Sequence, residues 1–185
     1  MNDTAKWIAR WRVRLGYLLA IAVLVFARPN PKSVAIGAAI GIFGLWLRAY
    51  AAGYLQKQEV LTTTGPYAYT RNPLYLGSAV LAAGAAWAVH SWISAAILVA
   101  YFAVVYYVVM RREEDELRGH FGEQFDVYAR RVPLFFPRLT AAQSEGSSRG
   151  AFSFAQYKKN REYQAALGLL LLLIFLLVIW RLRGN

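Results

Sequence analysis

Two polar islands interrupt an otherwise apolar chain, and their residue types are those of a binding site. From Gly65 to Gly77 the sequence reads GPYAYTRNPLYLG, and from Arg112 to Pro133 it reads REEDELRGHFGEQFDVYARRVP. In the first island, Thr70-Arg71-Asn72-Pro73 opens an apolar run, and Asn before Pro is N-cap and first-turn chemistry. A helix starting there presents free backbone donors and a positive dipole end that favour a carboxylate or another anion. Tyr67, Tyr69, Arg71 and Tyr75 crowd around that start. In the second island, steps of three or four from Glu113 meet Leu117, Phe121, Phe125, Tyr128 and Val132, one apolar stripe on a helix, with Gly119 and Gly122 as candidate breaks. Glu113 therefore lies on the greasy side, where a carboxylate is costly unless a cation or hydrogen-bond donors meet it. Glu114, Asp115, Glu116 and Arg118 fall off the stripe and read as a solvated face.

The elements that must position these islands are membrane spans. Of the 185 residues 58% are apolar and 17% charged, whereas a soluble domain carries about 25% charge. A spanning helix needs roughly 20 mostly apolar residues. The candidate runs are Leu15 to Ala27, Val34 to Leu55, Leu74 to Val89, Trp92 to Met110 and Tyr163 to Trp180, the first and third being short. The first follows a basic stretch as a signal peptide would, but Arg28-Pro29-Asn30-Pro31 follows it in place of a small-residue cleavage site, so it reads as a retained helix. The predicted architecture is an all-α, polytopic membrane helix bundle of about five transmembrane helices with a cytoplasmic C-terminal helical cap. One domain covers residues 1–185, with its core motif region at 59–137, a small-polar linker at 139–150 and an additional transmembrane helix at 163–180.

Lys and Arg set the orientation, because cytoplasmic loops retain them. With the N-terminus inside, the inner segments collect Lys6, Arg10, Arg12, Arg14, Lys57, Arg71 and the set from Arg111 to Arg161, leaving Arg28, Lys32, Arg181 and Arg183 outside. The islands then face the cytoplasm and the C-terminus lies on the opposite side. The net charge of +11 is read as topogenic, with attraction to anionic lipid headgroups, and no nucleic-acid partner is expected. There is no cysteine, and His90 and His120 fall on opposite sides, so no metal site is expected.

Small residues in the second and third spans, including the pair Gly37 and Gly41, predict close helix packing. The short His90-Ser91 turn makes spans three and four an antiparallel hairpin, which returns both islands to one face. Phe152 to Tyr163, aromatic with Lys158, Lys159 and Arg161, suits the headgroup level. The last span carries neither island and reads as an anchoring or oligomerisation helix. Arg48, in the second span, either snorkels to the interface or points inward to hold an anionic group.

The spacing G-P-Y-x-x-x-R-N-P-x-Y-x-G, a hairpin of two spans, then E-E-x-x-L-x-x-x-F-G-x-x-F-x-x-Y-x-x-x-V-P resembles the isoprenylcysteine carboxyl methyltransferase family and its phospholipid methyltransferase relatives, over roughly residues 59 to 137. The resemblance implies an integral membrane enzyme using S-adenosylmethionine, released as S-adenosylhomocysteine, without a Rossmann domain. The absence of a Gly-rich phosphate loop agrees. It places the cofactor against Glu59, Val60, Leu61 and Thr62, a match of position more than of residue type, and against Tyr67, Asn72, Pro73, Leu74, Tyr75 and Glu113. Eukaryotic members usually carry His where this chain has Asn72, which cannot change charge near neutral pH and so is assigned no acid–base role. Catalytic assignments are Glu113, Glu114 and Arg71; Arg48 and Arg112 are assigned to the substrate.

A carboxylate acceptor would need no general base, whereas an amine must lose a proton, for which Glu113 or Glu114 is the acceptor. The implied function is methyl transfer to a lipophilic acceptor entering from the bilayer, a carboxylate of isoprenylcysteine type first and a lipid amine second. A membrane reductase using a nicotinamide cofactor is the rival enzyme, and a non-catalytic membrane scaffold the rival of another class.

Overall fold

Local chemistry sets the helix boundaries in the computed structural model, which describes residues 16, 18–56, 60–142 and 151–183. Helix α1 covers residues 18–26. Helix α2, Pro31–Tyr54, starts in a reciprocal capping box: the Asn30 side chain accepts from the Ser33 N–H, and the Ser33 hydroxyl accepts from the Asn30 N–H. A 3-10 turn, Gly65–Ala68, leads to α3, Pro73–Ala88. Helix α4, Trp92–Tyr101, capped by Ser91, passes through a π-helical turn, Phe102–Tyr106, into α5, Tyr107–Phe121. Then come α6, Glu123–Arg131, α7, Phe154–Lys159, and α8, Tyr163–Arg183. No strand occurs among the described residues.

Among the described residues three helices are long and apolar enough to cross a membrane: Pro31–Tyr54, the continuous Trp92–Phe121 and Tyr163–Arg183. Helix α3 is apolar but shorter, and α1 adds a further apolar segment. The molecule is thus a helical membrane bundle. The fourth span does not stop near Met110 but runs on to Phe121, so one continuous helix carries the first half of the second island out of the apolar zone. Outward faces bear Phe43, Trp46, Val99 and Leu171, each more than half exposed, as lipid-facing surfaces do.

The tightest packing is the crossing of α2 and α3. A Cβ built on Gly44 would lie 2.6 Å from the Leu81 nitrogen and 2.8 Å from the Gly77 carbonyl oxygen; one on Gly84 would lie 2.6 Å from the Gly37 oxygen. Backbone meets backbone there, as small residues permit in a bilayer. Helix α8 belongs to the same bundle. Leu169 packs on Gly41, and Leu176 is fully buried with Val23, Ala27, Val34, Ala88 and Val89. The helix read as an anchoring or oligomerisation helix thus also packs within the bundle.

The helices alternate in direction. At one end the Arg28 N–H donates to the Val89 carbonyl (2.8 Å), the Ser33 hydroxyl to that of Ala88 (3.1 Å) and the Arg183 guanidinium to that of Ala27 (2.6 Å). Both polar islands lie at the opposite end, as the hairpin requires.

Candidate functional site

The first island is held by the chain that follows the second. Residues 133–142 have no regular structure of their own, so their backbone groups seek partners elsewhere. The Arg71 N–H donates to the Pro133 carbonyl (2.9 Å), the Arg138 N–H to that of Tyr69 (2.9 Å), and the Ala142 N–H to that of Ala68 (2.9 Å). The Thr70 hydroxyl donates to the Phe135 carbonyl at 2.9 Å. Asn72 occupies the N-cap position of α3, with Pro73 in the first turn, but its side chain does not cap. Its amide donates to the Leu134 carbonyl (3.0 Å), which ties the side chain to the segment after the second island. The capping expected of Asn72 is corrected accordingly.

The predicted apolar stripe is present. Phe125, Tyr128 and Val132 are buried together with Leu61, and Leu117 and Phe121 pack against them. The break falls at Gly122, whose φ of +54° favours glycine, while Gly119 remains helical. The Tyr128 hydroxyl donates to the Tyr67 carbonyl at 2.8 Å, clamping α6 onto the first island.

Glu113 and Glu114 leave α5 in different directions and meet different partners. Glu113 Oε1 accepts from the Tyr75 hydroxyl at 2.6 Å, a length typical of a hydroxyl–carboxylate bond. The Tyr75 ring in turn stands edge-on to Tyr106 of the π turn at 5.3 Å, and Phe102 stacks on Tyr106 at 4.3 Å. Glu114 was expected on a solvated face. Its side chain is only 6% exposed and lies between Arg71 (2.6 Å) and Arg111 (3.1 Å). Burial there is tolerated because Arg71 comes from the other island, a partner that helical periodicity cannot register. Asp115 and Glu116 do stay on the solvated face. Arg112 pairs with Glu116 at 2.8 Å on that exposed side, so the structure does not bring it to Tyr75 and Glu113.

Arg71→Met would leave Glu114 buried with only the exposed Arg111 as partner. Loss of a buried partner of this kind costs about 3 kcal/mol. The double change Arg71→Met with Glu114→Met is expected to recover most of it, measured by thermal unfolding in detergent.

Arg48 points inward. Its Nε and Nη2 lie 2.9 and 2.7 Å from Glu162 Oε2, and Nη1 reaches Ser78 Oγ and, at 3.4 Å, the Leu74 carbonyl. Glu162, just before α8, was assigned no role from sequence. Its only signal is an acidic residue opening an apolar run behind Lys158, Lys159 and Arg161.

Between these groups sits Tyr67. Its hydroxyl is buried without a hydrogen-bond partner. Burial raises its pKa well above that of an ordinary phenol, and the charges of Tyr128, Glu113, Glu162 and Tyr75 push the same way. Burial likewise raises Tyr128, against a lowering by Arg71. Thr63 Oγ1 and Arg71 Nε are also buried without hydrogen-bond partners. Orphaned buried polar atoms are rare and call for an explanation, such as a polar ligand. Of the remaining predicted contacts, Val60 is exposed, Leu61 is buried in the stripe's core, and Thr62 accepts from the Gln56 N–H at 3.4 Å. Pro73 is buried, Leu74 is half-buried, and Glu59 lies outside the described residues.

Residues 14–124 match the phospholipid methyltransferase family. That range includes Tyr67, Arg71, Tyr75, Glu113 and Glu114, and ends before Glu162. The chain is 42% identical over 155 residues to the nickel-cobalt-cadmium resistance protein NccN of Alcaligenes xylosoxydans xylosoxydans, covering 78% of this chain and 70% of that protein. It is 33% identical over 153 residues to the cobalt-zinc-cadmium resistance protein CzcN of Cupriavidus metallidurans, covering 78% and 69%. No solved structure matches. Among the described residues no group of three or more His, Cys, Asp or Glu side chains is placed to hold a metal ion.

Proposed function

We propose, for a chain that belongs to the phospholipid methyltransferase family, that it transfers a methyl group from S-adenosylmethionine to a lipophilic acceptor reaching the site from the bilayer. The observation that carries this reading is the convergence of the Tyr75–Glu113 hydrogen bond and the orphaned Tyr67 hydroxyl where apolar helices end. Polar groups left unpaired at such a place fit a polar cofactor better than they fit a scaffold.

The residues that would hold the cofactor are Leu61, Thr62, Tyr67, Asn72, Pro73, Leu74, Tyr75 and Glu113, with Glu59 and Val60 alongside and the Thr63 hydroxyl as a further donor. When bound, S-adenosylmethionine supplies an electrophilic methyl on a cationic sulfur. Glu113 contributes a fixed negative charge, oriented by Tyr75 so that no reorganisation is needed during reaction. Tyr106 stands against Tyr75, Phe102 stacks on Tyr106 and Phe135 meets Phe102, an apolar wall that would limit water at the approach. Arg71 and Glu114, locked together, anchor the islands to each other, which leaves Glu113 as the carboxylate with a chemical role.

The acceptor favoured is a carboxylate of isoprenylcysteine type, which attacks without a base. A phospholipid or other lipid amine is the second reading, favoured by the placement of Glu113, which would then take the amine's proton. The Lys and Arg distribution supports an N-terminus and site on the cytoplasmic side with the C-terminus opposite. A role in metal resistance, as the two relatives are named for, would run through the methylated product.

The test is calorimetry of detergent-purified protein with S-adenosylhomocysteine. Binding in the micromolar range is expected. A folded sample that binds NADPH instead would move the reductase alternative ahead, and one that binds neither would move the scaffold ahead.

A further inference from the structure

We propose that Glu162 and Arg48 form a tie through which the last helix positions the first turn of α3, making α8 part of the site. The family match covers residues 14–124, so Arg48 lies within it and the carboxylate half of the tie is supplied by a segment outside it. Both side chains are largely shielded, at 20% and 11% exposure. The guanidinium is a planar fork. With Nε and Nη2 taken by Glu162, Nη1 is aimed at α3, where it meets Ser78 Oγ and the Leu74 carbonyl. Leu74 precedes Tyr75, whose hydroxyl holds Glu113 at 2.6 Å. Without the carboxylate, Arg48 is free to swing toward the headgroups, and the first turn of α3 loses its brace.

Glu162 is itself fixed from α2. The Asn160 amide donates to the Ala52 and Leu55 carbonyls at 2.9 and 3.2 Å, and the Ser153 N–H donates to that of Gly53 at 3.0 Å. Residues 153–162 are thus latched onto the C-terminal end of α2, delivering the carboxylate to a defined place. The field of Glu162 also reaches the Tyr67 hydroxyl. Helix α8 has independent attachments, Leu169 on Gly41, Leu176 in the core and Arg183 on the Ala27 carbonyl. Losing Glu162 therefore does not detach the helix, and positioning can be separated from folding.

The experiment compares Glu162→Gln, Glu162→Asp and Leu176→Ala in the full-length protein. The readouts are amide hydrogen exchange of residues 74–78 and S-adenosylhomocysteine affinity. Glu162→Gln is expected to speed exchange in that turn and to weaken binding by roughly tenfold, the size of coupling that contacting residues show. Glu162→Asp should restore most of both, and Leu176→Ala should lower thermal stability while moving neither. Wild-type behaviour in Glu162→Gln overturns the tie, as do equal changes in Leu176→Ala. The ligand readout rests on the methyl-transfer reading, but the exchange readout does not. If the wild type fails to bind, that reading fails while faster exchange in Glu162→Gln still supports the tie, and unchanged exchange still overturns it.

Discussion

Glu113→Ala is expected to weaken S-adenosylhomocysteine binding by up to a hundredfold in a protein that remains folded. Hydrogen bonds to charged groups contribute about 1.5 to 3 kcal/mol, a factor of roughly 10 to 100 in affinity. Glu113 is placed to supply one to a ligand while Tyr75 holds it at 2.6 Å. Stability should change little, because the load between the islands is carried by Arg71 with Glu114 and by Tyr128 on the Tyr67 carbonyl. Glu113→Gln separates charge from geometry: it keeps an acceptor for Tyr75 and removes the anion. If charge matters, the glutamine variant resembles alanine; if only orientation matters, it resembles wild type. Calorimetry on both, with unfolding temperatures alongside, decides. An alanine variant that binds as the wild type does would remove Glu113 from the site.

The second large effect concerns the α2–α3 crossing. Gly44→Leu is expected to yield protein that fails to elute as a single species in detergent. Adding methylenes to a packed core costs about 1 to 3 kcal/mol when side chains can adjust. Here a new Cβ meets the Leu81 nitrogen at 2.6 Å and the Gly77 oxygen at 2.8 Å, which are backbone atoms that cannot rotate aside. The helices must part, and Arg48, one turn along from Gly44, then loses its reach to Ser78. Gly119→Ala is the control. Nothing lies within 4 Å of a Cβ there, and alanine in a helix interior is favoured over glycine by up to about 1 kcal/mol. Equal damage at the two positions would show that the crossing is not what limits stability.

Much of this was legible in the residues. Hydropathy located the apolar runs, and the His90-Ser91 turn put both islands at one end. The stripe from Leu117 to Val132 emerged from periodicity because a single face of one segment is buried. What was hidden depended on partners distant in sequence. Glu114 looks solvated on a helical projection and is buried only because Arg71 arrives from the other island. Asn72 looks like a cap, yet it donates to Leu134 across the fold. Arg48 had two readings that its own neighbours in sequence could not decide, since Glu162 lies in the turn before α8, far along the chain. The π turn left no trace because Phe102–Tyr106 is apolar throughout.

That π turn constrains how the chain tolerates changes in length. Bonding five residues on, in place of four, stores one residue more than a regular helix would. If Trp92–Phe121 wound as an unbroken α-helix, Glu113 would be rotated by about 100° relative to Trp92 and turned away from Tyr75. Loss of a single residue within Phe102–Tyr106 would be absorbed as the turn regularised, leaving Glu113 facing Tyr75. The same loss between Tyr107 and Arg112 would keep Glu113 facing Tyr75 only if the turn regularised too, and would then rotate the residues between the turn and the gap by about 100°. Descendants of this sequence can therefore shorten the fourth span by one residue at that turn without redirecting the carboxylate or the residues leading to it.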